Sequence, residues 1–443
     1  MPFLNSYQKM IKYFKKSAPV SITKSEEDQK LYYKKLKWQV FISATLGYGF
    51  YYVCRLSLNV VKKPIVDAEI LTESELGIIG STLFFAYAIG KLTNGFLADH
   101  SNIKRFMAIG LLVSALANLI MGFTSTFLFF VACWGVNGWV QSMGAPSSVV
   151  SLSRWYKDSE RGSFYGFWST SHNIGEALTY ILTAVVVSYF GWQWGFRAAA
   201  IVGLLGALMV AIFFHDTPES KGLNPVNKDF TKKKTSTWEE QSGVLKNPYV
   251  WLLALSSAFM YISRYAVNSW GPYYFEAAKG YTLTEANSLV AISAVCGILG
   301  TASSGFVSDK FFKGRRNAPA LIFGLMNVFA LSLFLLGPKN MWWLDATSMV
   351  IFGLGIGALI CYLGGLMAVD IVSKKASGAA LGIVGIMSYA AAGIQDIASG
   401  YLIENNKTIL NGETIYNFDT ISIFWIGAAT LSVLLALLVW KKT

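Results

Sequence analysis

The chain alternates long apolar stretches with short polar ones, and twelve of the stretches are long enough to cross a bilayer as helices. A hydrocarbon core about 30 Å thick takes about 20 helical residues per crossing. The pattern predicts spans near 38–61, 76–98, 104–122, 126–150, 162–189, 192–214, 249–275, 285–308, 317–337, 341–363, 377–402 and 417–440. Charged residues are only 14% of the 443, where soluble domains carry roughly 25%. The expected class is an all-α membrane protein.

A net charge of +12 would suit a nucleic-acid partner, but the charges are sorted by side. With alternate loops assigned to opposite faces, 28 of the 37 Lys and Arg fall on the face that holds both termini. Five fall on the other: Lys62, Lys63, Lys279, Lys339 and Lys407. Cytoplasmic loops carry the Lys/Arg excess, so both termini are expected in the cytoplasm and the chain in a cell inner membrane. Segment 1–37 lacks the apolar run of a cleavable leader. Phe3, Leu4, Tyr7, Met10, Ile11 and Phe14, set among lysines, suggest a helix lying on the bilayer. Cys54, Cys133, Cys296 and Cys361 fall in spans without metal-ligand spacing, so no disulfide, metal or cofactor is expected.

A duplication organises the rest. Phe50, Tyr52, Arg55 and Asn59 reappear as Phe259, Tyr261, Arg264 and Asn268, 209 residues on. Gly90, Gly95, Phe96 and Asp99 reappear as Gly300, Gly305, Phe306 and Asp309, 210 residues on. The predicted organisation is an N-terminal segment 1–37, a six-helix bundle 38–214, a linker 215–248 with Lys232, Lys233 and Lys234, a pseudo-symmetric six-helix bundle 249–440 and a tail 441–443. Parallel repeats of this kind place a substrate site at their interface near mid-bilayer, with access alternating by rocking. That step is an analogy of fold.

Arg55 and Arg264 carry the chemistry. An arginine at mid-bilayer costs roughly 2.5–3.5 kcal/mol on insertion scales, and these two occupy equivalent repeat positions. A guanidinium fork matches phosphate oxygens bidentately. Two of them on one cavity repel unless an anion lies between. Snorkelling of Arg55 toward Lys62, or ion pairs with Glu176 or Asp396, are the structural alternatives.

Tyr48, Tyr52, Arg55 and Asn59 share one helical stripe, which suits a hydroxyl-bearing organic anion or plain packing. The repeat extends that reading to Tyr261 and Asn268. Lys91 interrupts "AYAIGKLTNGF" and either adds a third positive charge to the cavity or snorkels. His172 and Glu176 lie four apart, with Trp168 one turn before them. His172 could bond a phosphate and titrate with it; Glu176 could neutralise an arginine or be satisfied within its own helix. Asp396 on span 11 is a similar coupling candidate. Asp99 and Asp309 sit in acid-plus-basic gating loops, structural and conformational rather than ligands. No P-loop, hydrolase triad or metal cluster accompanies these features, so no enzyme is expected.

The motifs "GYGFYYVCR", "GKLTNGFLAD", "SRWYKDSERG", "SHNIG", "DTPESKGL", "YISRYAVNSWGPYY" and "SDKFFKGRRNAP" run from near Trp38 through the second repeat. On them the chain resembles the organophosphate:phosphate antiporters of the major facilitator superfamily, a group with glycerol-3-phosphate and hexose-phosphate carriers and a sugar-phosphate sensor. The resemblance implies the major facilitator fold with twelve transmembrane helices. It implies that Arg55 and Arg264 clamp a phosphoryl group, assisted by Lys91 and His172, in a cavity lined by Tyr48, Tyr52, Trp168 and Tyr389. It also implies exchange of a hexose phosphate or glycerol 3-phosphate for inorganic phosphate, with no chemical step.

The chain departs from the family at Ala294, where an acid is usual, at Ala145-Pro146 in place of Trp-Pro, and at "GALICYLGG", where Gly-Pro is common. Glu176 and Asp396 are candidates to replace the missing acid. A monomer in the bilayer is the expected assembly. Two other readings stay open: a membrane sensor of external hexose phosphate signalling to a partner kinase, and a proton-coupled symporter of another organic anion.

Overall fold

The computed structural model describes residues 13–22, 25–226, 238–373, 376–411 and 413–440. The surface-helix positions Phe3, Leu4, Tyr7, Met10 and Ile11, the lysines 232–234 and the tail 441–443 lie outside the described residues.

Helix α1 (Glu26–Asp67) has 42 residues, about 63 Å at 1.5 Å per residue, and overruns its apolar span at both ends. It starts at Glu26 rather than 38, capped by Ser25, with Glu26, Glu27 and Asp28 at the positive end of the helix dipole. The early turns hold because one face docks on protein: Leu36 is buried, Tyr33 stacks on Trp155 at 6.4 Å and Lys37 pairs with Glu160 at 2.6 Å. A search for apolar runs misses such a helix. At the far end α1 carries Lys62, fully buried, where the charge pattern predicts a loop.

The first helix set continues with α2 (Glu73–His100), α3 (Ile103–Met121), α4 (Phe127–Gln141), α5 (Gly144–Trp155), α6 (Asp158–Ser169), α7 (Ser171–Leu178), a π-helical turn at Thr179–Thr183, α8 (Ala184–Phe190) and α9 (Trp192–Phe213). A short α10 (Trp238–Leu245) precedes the second set. That set comprises α11 (Pro248–Lys279), α12 (Leu283–Phe311), α13 (Asn317–Leu336), α14 (Trp342–Cys361) with a π-helical turn at Tyr362–Leu366, α15 (Met367–Asp370), α16 (Ser377–Asn405) and α17 (Asp419–Leu438). Between α16 and α17, where a plain loop was expected, β1 (Lys407–Leu410) and β2 (Glu413–Tyr416) pair as an antiparallel hairpin. This end of the bundle is called the hairpin end below, and the opposite one the termini end.

Among the described residues, ten helical segments are long and apolar enough to cross a membrane. Outside that group stand α1, whose centre is rich in Tyr and Gly, and the α4–α5 pair, interrupted after Gln141. Twelve crossings are compatible with this arrangement. The duplication is visible in local geometry. Thr72 with Glu75, and Thr282 with Glu285, form capping boxes that start α2 and α12. Gly90 and Gly300 mark close helix approaches: a Cβ on the first would overlap the Ser142 hydroxyl, and on the second the Leu354 carbonyl.

Inside the first set, polar side chains bond backbone carbonyls that α1 leaves accessible. Asn118 and Asn137 both donate to the Cys54 carbonyl at 2.9 and 3.1 Å, and Gln141 donates to that of Tyr51 at 2.8 Å. In hydrocarbon such bonds have no competition from water, so they fix the rotation of α1. That rotation aims its polar stripe at the second set.

Candidate anion site

Tyr48, Tyr52, Arg55, Asn59 and Lys62 fall at i, i+4, i+7, i+11 and i+14 of α1, and all five are buried. Opposite them α11 presents Tyr261, Arg264, Tyr265 and Asn268. The two arginines converge on one ring. Arg55 donates from Nη2 to the Tyr265 hydroxyl at 3.2 Å, and the Arg264 guanidinium lies 5.4 Å from the Tyr265 ring centre.

Aromatic faces complete both surroundings. Arg55 stands 4.5 Å from the Tyr87 ring centre, 5.5 Å from Tyr52 and 5.6 Å from Tyr389; Arg264 is 5.6 Å from Tyr261. Such cation–π contacts offset part of the desolvation of a guanidinium. They supply no negative charge. Among the described residues neither arginine forms an ion pair, and Arg264 has no hydrogen bond. Two buried cations with no carboxylate at ion-pair distance among the described residues suit an anion that reaches both.

The carboxylates proposed as structural partners are engaged elsewhere. Glu176 accepts from the Asn268 amide at 2.5 Å. Asp396 accepts through Oδ1 from Lys62 at 3.0 Å, Ser269 at 2.6 Å and the Trp270 indole at 2.5 Å. Asn59 and Asn268 do not stand free in a cavity: Asn59 donates to the Asn268 carbonyl at 2.9 Å, and Tyr180 donates to the same oxygen.

Lys91 is exposed, and its Nζ lies 5.4 Å from the Tyr389 ring centre, so it marks the termini-ward rim of the aromatic layer. Tyr389 in turn meets Tyr87 at 4.5 Å and Tyr261 at 5.5 Å. On the other flank Trp168 lies 5.0 Å from Tyr48, and His172 lies 5.6 Å from Tyr52. His172 Nδ1 bonds the Ser169 carbonyl; a carbonyl only accepts, so the proton sits on Nδ1 and Nε2 is left for another partner. Among the described residues, the buried Trp168 indole N–H has no partner. The gating-loop acids stay within their own sets. Asp309 pairs with Arg316 at 3.0 Å, and the Asp99 carbonyl accepts from Arg154 at 3.3 Å.

Sequence reasoning missed Tyr87, Tyr265 and Lys62. Each had a positional signal: Tyr87 is one helical turn before Lys91, Tyr265 one turn after Tyr261, and Lys62 extends the α1 stripe by three residues.

A duplicated helical bundle with paired cations at its seam defines a multi-pass membrane transport protein. The Major Facilitator Superfamily profile matches residues 41–395. The chain is 33% identical over 449 aligned residues to a probable hexose phosphate transport protein of Chlamydia pneumoniae, covering 96% of each. It is 30% identical to the membrane sensor protein UhpC of Salmonella typhimurium, over 85% of this chain and 87% of the relative. Its backbone superposes with a TM-score of 0.74 on a bacterial homolog of the human lysosomal transporter Spinster, in an inward-facing and unoccupied conformation. That match, at 16% identity, covers 92% of this chain and 98% of the other, and shows the fold. The chain belongs to the organophosphate:phosphate antiporter family of the major facilitator superfamily.

Proposed function

We propose that this protein carries a hexose phosphate or glycerol 3-phosphate across a cell inner membrane in exchange for inorganic phosphate, by alternating access and without altering its cargo. The observation that carries the reading is the pair of buried guanidiniums, one from each helix set, that meet at Tyr265 without a carboxylate partner. Arg55 and Arg264 grip the phosphoryl group, Lys91 and His172 assist, and Tyr48, Tyr52, Trp168, Tyr261 and Tyr389 receive the organic part. Two like charges in a low-dielectric seam resist closure around nothing, whereas a phosphate or a phosphate ester bridges them, so either anion lets the sets reorient. The moving bodies are 38–214 and 249–440, joined by 215–248.

The Lys/Arg bias puts both termini in the cytoplasm. The hairpin end then faces outward and the site is reached from inside. The Chlamydia relative's name favours a hexose phosphate; the Salmonella relative keeps a sensor as the second reading.

Proteoliposomes loaded with phosphate test this. Uptake of labelled glucose 6-phosphate or glycerol 3-phosphate that requires internal phosphate supports exchange. Saturable binding without exchange supports the sensor. Uptake driven by a proton gradient and indifferent to phosphate refutes both.

A further inference from the structure

Lys62 and Asp396 form an ion pair across the seam in which both side chains are at most 1% exposed. We propose that this pair is a latch that positions the phosphate clamp, setting the separation of Arg55 and Arg264 while the hairpin end is closed. The inference rests on the clamp reading above and adds two residues to it.

The pair lies the same distance from the site along two helices. Lys62 is seven residues beyond Arg55 on α1, and Asp396 is seven beyond Tyr389 on α16, about 10 Å in each case. Its reach extends to the third helix. Lys62 Nζ donates to Ser269 at 2.7 Å and lies 3.8 Å from the Trp270 ring centre, while Asp396 accepts from both of those α11 residues. Ser269 and Trp270 directly follow Asn268, the residue that bonds Asn59, Tyr180 and Glu176 of the first set. One carboxylate therefore ties the helices bearing Arg55, Arg264 and Tyr389.

The site is shaped for that carboxylate. A Cβ on Gly80 of α2 would overlap Asp396 Oδ2, and one on Gly77 would overlap the Asp396 backbone carbonyl. An ion pair serving only one bundle would join helices of a single set; this one joins α1 to α16 and separates whenever the hairpin end opens. Removing one partner leaves a buried charge uncompensated, so single neutralisation should loosen the closed end and charge restoration should tighten it.

The test uses the full-length protein in nanodiscs with a Ser74→Cys reporter. Ser74 lies at the seam, its backbone N–H donating to Glu404 at 2.9 Å. Lys62→Met and Asp396→Asn are each expected to raise maleimide labelling of the reporter about tenfold and to weaken phosphate binding by calorimetry to a similar degree. The swap Lys62→Asp with Asp396→Lys, and Lys62→Arg should the swap fail to fold, are expected to stay within about threefold of the parent on both measures. Labelling that ignores charge in a protein that binds phosphate overturns the latch alone. Labelling that follows charge in a protein that binds neither phosphate nor glucose 6-phosphate overturns the clamp reading and leaves the seam latch standing.

Discussion

The two ends of this bundle are held together in different ways. At the hairpin end bonds cross between helix sets, beside others such as Lys279 with Asp345 that stay within one. Glu73 of α2, fully buried, accepts from Tyr273 of α11 at 2.8 Å, from Tyr416 of β2 at 3.0 Å and from Lys407 of β1 at 2.6 Å. At the termini end the ion pairs between described residues stay within a set: Arg154 with Asp216 at 2.6 Å in the first, and Arg316 with Asp309 and Asp370 in the second. The N-terminal segment follows the same rule, with Ser17 donating to Asp216 at 2.8 Å and Asn102 donating to the Phe14 carbonyl at 2.7 Å. Bonds within a set make each set rigid, while bonds across the seam decide which end is shut. A carrier that rocks needs both kinds, at opposite ends.

The largest effect belongs to the centre, where the two patterns meet. Arg55→Lys or Arg264→Lys should each lower phosphate exchange at least about 100-fold, because an ammonium keeps the charge and loses the fork; counterflow in proteoliposomes reads this. Next comes the contrast between ends. Glu73→Gln should raise labelling of a hairpin-end cysteine about tenfold by removing the charge that Lys407, Tyr273 and Tyr416 converge on. Asp216→Asn should leave that labelling unchanged and instead lower thermal stability by about 3 kcal/mol, since it breaks a buried pair inside one set. Equal labelling in both variants would erase the distinction.

Smaller effects sharpen it. Trp168→Phe keeps the ring against Tyr48 and removes an N–H that has no partner among the described residues. It should weaken binding of the phosphate ester about three- to tenfold and leave inorganic phosphate unaffected, as competition assays would show.

A pH effect belongs to the termini end. Burial, with Lys221 and Lys104 nearby, pushes His215 down to about 4, from the ordinary value near 6.5. Between those values the unfolded chain binds the extra proton, so the stability contribution is full above about pH 6.5 and is lost as pH falls toward 4. At most about 3 kcal/mol is at stake. Thermal unfolding at pH 7 and pH 5 should differ in the parent and much less in His215→Gln.

The features legible in the amino-acid sequence are those governed by lipid and by repetition. Apolar length marks most of the spans, and the 209-residue offset pairs Arg55 with Arg264. The features hidden from it depend on helices docking on helices. The first turns of α1 are charged and amphipathic, and docking on Trp155 and Glu160 helps to hold them helical. Lys62, Lys279 and Lys407 resemble loop lysines because composition cannot show that Asp396, Asp345 and Glu73 wait beside them. Asp396 resembles a coupling acid near the arginines for the same reason. That neither guanidinium has a carboxylate at ion-pair distance is equally invisible in sequence, since Glu176 has the same spacing prospects for pairing with them, and only the fold shows Asn268 holding it.

A cryo-EM structure of the protein with glucose 6-phosphate bound measures the central assertion directly. Phosphoryl oxygens within hydrogen-bonding distance of both Arg55 and Arg264, with the sugar toward Trp168, are the predicted result. A phosphoryl group held by one arginine only, or a sugar phosphate seated away from both, would contradict it.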